Sequence, residues 1–417
     1  MMLKLLLYAY STGVTSCEEM EKRCHVDIAF RWLSANTTPD YRSLARFRRR
    51  HEKTLGDLFN QVLVLCSEAG LVTLGRVALD GTKLRASASR RKSMSYERLG
   101  PRIKELQDEV ATILAEAEAT DLAEDAAYGA DKRGDEIPEE LRRSKTRIAK
   151  MRAAKEAIEQ EVKDKAKAKE RAKDKDKASE KTEVNKKAPT ERDEEADPKG
   201  VISTDTDTTQ TQIRPNPKAQ RSFTDPKSQM MKTNDGFHYA YNVEAVVDEG
   251  SQVIITTKVT QSPGDVNELI PMIEATTTSL KAANITRSPR VLLADAGYCS
   301  QANLTHVSES NINALIATGR IQHNERVRDS PEWRIPKNAT PRERMARHLR
   351  TKPGRIDYAR RKAIVEPVFG QTKVRQKAGY LRLRGLQGAQ TEWTLHSICH
   401  NLRKLSNARV NAGLAMA

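Results

Sequence analysis

Residues 238–260 read HYAYNVEAVVDEGSQVIITTKVT, and this stretch decides the fold class. Two runs rich in apolar and β-branched residues flank the turn-forming DEGS. Runs of this kind around a short polar turn predict two antiparallel strands joined in a hairpin. The sequence therefore predicts a sheet with this hairpin in it.

Further elements surround the hairpin. Upstream, GRVALDGTKL at 75–84 predicts a strand that ends at an Asp80-Gly81 turn. Downstream, a helix is expected from Asp265 to about Ala283, followed by the buried strand VLLA before Asp295. The tail from Ile364 to about Arg409 is helical by pattern. This order predicts an α/β (α+β) core.

Residues 1–70 predict a compact helical domain. Ser16 and Glu19 have the spacing of a capping box, Thr38 precedes Pro39 as a helix N-cap, and Gly70 closes the last helix. One helix carries a basic cluster that either docks on DNA phosphates or forms a solvated helix face. Charge alone does not favour one of these two alternatives over the other. The candidate DNA-binding residues of this helix are Arg46, Arg48 and Arg50.

A helical insertion is predicted between residues 96 and 200. Apolar residues recur in steps of three and four along two seams, which predicts two helices folded into a hairpin or coiled coil. The seams are Leu99, Ile103, Leu106, Val110 and Ile113, and Leu141, Ile148, Met151, Ile158 and Val162. Residues 163–200 predict an extension of the second helix that frays into a charged, flexible linker. The predicted domains are 1–70 (helical), 71–95 (first part of the core), 96–200 (insertion) and 220–409 (remainder of the core).

The charge balance bears on partners. The 417 residues include 72 Lys and Arg against 56 Asp and Glu, a net charge of +16. This favours a polyanion, with nucleic acid ahead of an anionic membrane surface. Five scattered cysteines without CxxC spacing suggest a reducing cytoplasm. The chain shows no membrane span and no phosphate-binding glycine motif, so neither a membrane nor a nucleotide cofactor is expected.

Three acids are candidates for chemistry: Asp80, Asp295 and Glu366. Each also has an ordinary reading, as a turn residue, a helix cap and a first-turn acid respectively. Carboxylates are the ligands that Mg²⁺ prefers. Two Mg²⁺ ions held by such a set can catalyse the displacement of one oxygen by another at a phosphodiester phosphorus.

The surroundings of Glu366 are basic. Residues 341–384 hold fourteen Lys and Arg against three acids. Lys373 follows Glu366 by seven residues, which puts both on nearly the same helix face. Lys373 could hold DNA beside a metal site, or be an ordinary surface lysine.

Four ordered blocks resemble bacterial insertion-sequence transposases of the DDE class: VALDGTKLRASAS, LLADAGY, YARRKAIVEPVFGQTK and EWTLHSICHNLRKL. The resemblance implies an RNase H-like core in which Asp80, Asp295 and Glu366 form the metal-binding triad. It also implies that Tyr358, Arg361 and Lys373 contact DNA. The related signature has three residues between its Arg and Glu, whereas four separate Arg361 from Glu366.

The resemblance implies a DNA transposase that uses Mg²⁺, replaceable by Mn²⁺, to cut and join DNA at the element's terminal inverted repeats. The expected partners are double-stranded DNA, both element ends and target, and a second protomer when the ends are joined. The expected location is the bacterial cytoplasm, at the nucleoid. Two alternatives stay open: a metal-dependent nuclease without strand transfer, and a catalytically silent DNA-binding remnant. Relatives usually carry a further stretch before MMLKLLLYAY, which implies that this chain starts late.

Overall fold

The computed structural model describes residues 1–89, 92–128, 139–184, 215–310, 312–319, 335–336, 338–411 and 413. These residues divide into two compact units. The first consists of Met1–Lys92 and Thr224–Ala417, and the second of Ser93–Phe223. The predicted helical domain at 1–70 thus belongs to the same unit as the sheet. From residue 185 onward, the predicted charged linker lies outside the described residues.

Eight strands are described, and six of them form one mixed sheet in the first unit. They are β1 (Arg76–Arg85), β2 (Ser93–Ser95), β3 (Gln220–Ser222), β4 (Gln229–Thr233), β5 (Gly236–Asp248), β6 (Ile254–Thr260), β7 (Val291–Ala294) and β8 (Ala314–Ile316). The sheet has the order β4-β5-β1-β7-β8, and β6 also pairs with β5. The β5 strand runs antiparallel to β1 and β6, whereas β1, β7 and β8 are parallel.

The described helices lie before, within and after this sheet. They are α1 (Met2–Ser11), α2 (Cys17–Val26), α3 (Ile28–Leu33), α4 (Tyr41–Arg50), α5 (Glu52–Glu68), α6 (Tyr96–Tyr128), α7 (Glu139–Val184), α8 (Leu269–Ala282), α9 (Gln301–Glu309), α10 (Pro341–Arg350), α11 (Lys352–Ala359), α12 (Arg361–Arg375) and α13 (Gly385–Asn411). None of these helices is long and apolar enough to cross a membrane.

The predicted hairpin is confirmed as β5 and β6. The β5 strand is buried along most of its length because it has β1 on one side and β4 and β6 on the other. The predicted strand at 291–294 is β7, which pairs in parallel with β1. The helical tail is confirmed as α12 and α13, and Trp393 of α13 is fully buried and stacks on Phe369 of α12.

The predicted turn at Asp80-Gly81 is wrong. The β1 strand continues through both residues to Arg85, and Gly81 pairs with Glu244 on β5. The glycine is required by space: a Cβ there would lie 2.6 Å from a carboxylate oxygen of Glu244. An Asp-Gly pair can therefore lie inside a strand when a side chain from the neighbouring strand occupies the space that a Cβ at the glycine would need.

Two helix starts differ from the prediction. At α2, the Ser16 side chain makes no capping bond, and Glu19 pairs instead with Arg23 at 3.0 Å. At α4, the cap is Asp40, which accepts from the backbone of Ser43, rather than Thr38. By contrast, Gly70 has a positive φ of 70° after α5, as a helix-ending glycine does.

In the second unit, α6 and α7 pack along the predicted seams. The buried positions common to prediction and structure are Leu99, Ile103, Leu106, Ile148, Met151 and Ile158. The side chain of Leu141 lies outside the described part. The antiparallel pair β2 and β3 closes the base of this unit, with Ser95 opposite Gln220.

Candidate active site

Asp80 lies on β1, and Asp295 follows directly after β7, the strand that runs parallel to β1. The last paired residues are Ala78 and Leu293, so two residues further along both chains the ladder reaches Asp80 and Asp295. Residues in register on parallel strands share a face of the sheet. The Asp295 carboxylate also accepts from Gly297 N at 2.7 Å, which fixes the 3-10 turn Ala296–Tyr298.

The Asp80 carboxylate is partly buried and forms an ion pair with Arg361. Burial raises the pKa of Asp80 to about 6, Arg361 opposes this rise, and the nearby Asp295 adds to it. Arg361 Nη1 donates to Asp80 Oδ2 at 3.1 Å, and both side chains are largely buried. Two acids that face each other in this way are stabilised by any cation between or beside them.

Tyr358 lies beside Arg361, at the end of α11. Burial raises the pKa of its hydroxyl, and the Arg361 guanidinium opposes that rise. The structure thus brings four of the predicted residues together: Asp80, Asp295, Tyr358 and Arg361.

Glu366 does not join this group. The buried face of α12 consists of Arg361, Ile364, Val365, Val368, Phe369 and Thr372. Glu366 is exposed. Within the described residues, no set of three or more Asp, Glu, His and Cys side chains is close enough to bind a metal ion. The three predicted carboxylates are therefore not assembled into one ligand set in the described residues, where Asp80 pairs with Arg361.

Lys373 contacts the same strand as Arg361. Its ammonium group donates to the hydroxyl of Thr82, two residues after Asp80 on β1. Half-burial lowers the pKa of Lys373. Arg361 and Lys373 thus place two cations of α12 along the face of β1 that carries Asp80.

The opposite face of β1 holds a polar network that the sequence did not predict. Glu244 is fully buried there, accepts from the Tyr298 hydroxyl and lies beside Asn242. Lys83 pairs with Asp265 at 2.9 Å. Two signals for this network exist in the sequence: an acid within the apolar run NVEAVV, and a tyrosine three residues after Asp295.

The basic helix α4 divides its arginines between two environments. Arg46, Arg49 and Arg50 are exposed. Arg48 is buried, and its guanidinium donates to the hydroxyl of Tyr10 near Glu392. The DNA contact predicted for Arg48 does not fit this position, because Arg48 lies four residues after the buried Leu44 and so points into the protein.

The chemistry of the donor set suits a divalent metal at Asp80 and Asp295. Both are hard oxygen ligands, and both keep some exposure. A metal bound by Asp80 would lie near the Arg361 guanidinium, which donates to Asp80 Oδ2.

Comparisons with known proteins identify two regions of the chain. A family model described as the transposase DDE domain matches residues 201–402, which include Asp295 and Glu366. A second model, described as a transposase domain, matches residues 1–50. No curated protein and no solved structure matches the chain significantly. The DDE domain assigns the mixed sheet and its helices to the RNase H-like fold. The two matches, at the N-terminal helices and across most of the sheet, show that this chain belongs to the insertion-sequence transposases of the DDE class.

Proposed function

We propose that this transposase cuts DNA at the ends of its insertion sequence and joins the freed 3′ ends to target DNA, using Mg²⁺ or Mn²⁺. The observation that carries the proposal is the pair of acids Asp80, on β1, and Asp295, directly after the parallel strand β7. Residues 201–402, which include Asp295, match the transposase DDE domain. Divalent ions at such a site activate an attacking oxygen and stabilise the leaving oxygen at phosphorus.

The chain's own residues have distinct parts in this proposal. Asp80, Asp295 and Glu366 would hold the metal. Tyr358, Arg361 and Lys373 bind the DNA backbone beside the cleaved phosphate, since their cationic or hydroxyl groups lie along the same face of β1 or next to it. Arg361 has a second part, because it neutralises Asp80 until a metal binds.

The exposed arginines of α4 extend the DNA-binding surface. Arg46 and Arg50, with Arg49, bind phosphates of the element end, where charge contributes affinity but little sequence specificity. Joining two ends in one complex calls for a homodimer, with terminal inverted repeats and target DNA as the nucleic-acid partners.

The test measures Mg²⁺-dependent cleavage of labelled DNA that carries the element end, alongside a DNA-binding assay. We expect Asp80→Ala, Asp295→Ala and Glu366→Ala each to lower the rate of cleavage by about a thousandfold or more. Each variant removes a proposed ligand of the metal ions that stabilise the transition state. DNA binding should persist in all three. The matched control is Glu274→Gln on the exposed face of α8, which also removes one negative charge and should cleave normally.

Retained cleavage by Asp295→Ala would overturn the assignment of the site. Two other outcomes identify the alternative functions. Cleavage without joining of pre-cut ends indicates a nuclease, and metal-independent DNA binding without cleavage indicates a silent remnant.

A further inference from the structure

The carboxylate of Glu244 is buried directly behind the proposed catalytic strand. It lies on β5 opposite Gly81, on the face of β1 that Asp80 does not occupy. Its side chain is fully buried and fills the place of a Gly81 side chain, with an oxygen 2.6 Å from the ideal Cβ position. A buried carboxylate is costly unless it is hydrogen-bonded, so the bonds of Glu244 must offset that cost.

One of these bonds reaches the turn that carries Asp295. The Tyr298 hydroxyl donates to Glu244 Oε2, and Tyr298 ends the 3-10 turn that begins directly after Asp295. The same turn is held at its start, where Gly297 N donates to Asp295 Oδ1 at 2.7 Å. The position of the Asp295 carboxylate therefore depends on where Glu244 anchors Tyr298.

A second set of bonds holds the neighbouring loop. Asn242 Nδ2 donates to Glu244 Oε1 at 2.7 Å and to Asp265 Oδ1 at 2.9 Å. Lys83 on β1 donates to the same oxygen of Asp265. Asn303 Nδ2 donates to the backbone carbonyls of Val266 and Tyr298, both at 2.7 Å. The Asp265 loop and the Asp295 turn are thus fastened to each other and to β1 and β5.

We propose that Glu244 is a positioning residue, which sets the orientation of Asp295 through the hydroxyl of Tyr298. The proposal rests on the proposed function, because Asp295 is the metal ligand that it positions. An apolar residue of similar size would fill the space beside Gly81 but could not hold Tyr298. Partners one step behind a metal ligand commonly change metal affinity or activity by about 10- to 100-fold when they are removed.

The central variant is Tyr298→Phe, which removes the hydroxyl and keeps the ring in the core. We expect the kcat of cleavage and the affinity for Mn²⁺, measured by calorimetry, each to fall by about tenfold, with the KM for DNA unchanged. Glu244→Gln keeps the volume and one acceptor oxygen, so it should lose less. The double variant should be no worse than Tyr298→Phe alone, because Tyr298→Phe has already removed the bond that Glu244→Gln weakens.

The matched control is Tyr241→Phe. Tyr241 is also a fully buried residue, on β5, and its hydroxyl donates to Asp225 at 2.8 Å. This variant loses the same kind of bond away from the Asp295 turn. It should lower the melting temperature about as much as Tyr298→Phe does, yet leave kcat and Mn²⁺ affinity unchanged.

Hydrogen exchange separates this proposal from the proposed function. We expect a peptide covering 291–304 to exchange faster in Tyr298→Phe than in the parent protein or in Tyr241→Phe. Unchanged exchange there, or equal kcat losses in both Phe variants, overturns the positioning role. If exchange rises but the parent protein neither binds Mn²⁺ nor cuts DNA, the proposed function fails while the anchoring of the turn by Glu244 stands.

Discussion

Arg48 and Arg46 lie two residues apart on α4 but in opposite environments. Arg46 is exposed, whereas Arg48 is buried beside Tyr10, near the fully buried Glu392. Glu392 accepts from Tyr10 and from the backbone of Arg382 and Leu383, and burial raises its pKa. Arg48 therefore belongs to a charge network between α4, α1 and α13 rather than to a DNA surface.

We expect Arg48→Ala to lower the free energy of unfolding by about 3 kcal/mol, because it leaves Glu392 buried without its opposing charge. Urea unfolding measures this. Arg46→Ala is the matched control: its stability should stay within about 0.5 kcal/mol, while its DNA affinity falls. An Arg48→Ala protein of unchanged stability that binds DNA less well would return Arg48 to the DNA-binding set.

Lys373 gives a second test at this scale. Because its ammonium group would neutralise one phosphate, Lys373→Ala should reduce the slope of log K against log salt by about one. The control is Lys281→Ala, an exposed lysine on α8, whose slope should match that of the parent protein. Equal slopes for Lys373→Ala and the parent would mean that Lys373 only packs against Thr82.

Among the elements, α11 is fixed to the sheet by ion pairs. Asp357 on α11 accepts from Arg76 Nε at 2.7 Å and from Arg290 at 3.0 and 3.1 Å. Arg76 also pairs with Glu249, which pairs in turn with Arg360. These contacts set the place of α11 and thus of Tyr358, the residue that follows Asp357.

Asp357→Asn should lower the free energy of unfolding at neutral pH by about 2 kcal/mol. Hydrogen bonds from Arg290, and then from Arg76, lower the pKa of Asp357 in the folded chain. Its contribution is thus fully present above the unfolded pKa of about 3.9 and is lost as pH falls through the lower folded value. Unfolding followed at pH 7 and at decreasing acid pH should show the two proteins converge; a constant difference would contradict this origin.

The elements were predictable where periodicity was strong. The hairpin β5 and β6, the seams of α6 and α7, and the tail helices each follow a simple repeat of apolar residues, and the structure confirms them. The β1 strand beyond Asp80 was not predictable, because Asp-Gly is common in turns and its true reason, the close approach of Glu244, comes from a residue more than 160 positions away.

The site was predictable only in part for the same reason. Asp80 and Asp295 follow apolar runs, a local signal, and parallel pairing then brings them together. The pairing of Arg361 with Asp80, the exposure of Glu366 and the anchoring of Tyr298 depend on how α12 and β5 pack, which no local pattern records. Arg48 had a local signal in its spacing from Leu44, but the run of arginines obscured it.

At the scale of the molecule, the insertion begins and ends at one place. Ser95 and Gln220 face each other across the β2 and β3 ladder, and the first unit has its own core of buried residues from β1, β5, β7 and α13. We expect replacement of residues 96–219 by a short Asn-Gly turn to leave that unit folded. A cooperative thermal transition, with circular dichroism that retains the strand signal, would show this. Loss of cooperative unfolding would mean that the first unit depends on the insertion.

The ladder of β2 and β3 also bears on how the chain folds. Val77 must find Asp248, about 170 residues further along, to form the central pairing of the sheet. Contacts between such distant residues are slow to form, because the loop between them must first lose its entropy. A hairpin of α6 and α7 that forms early and closes at β2 and β3 would remove most of that separation. The insertion would then shorten the search for the β1 and β5 pairing, so its early formation would set the folding rate of the sheet that carries the site.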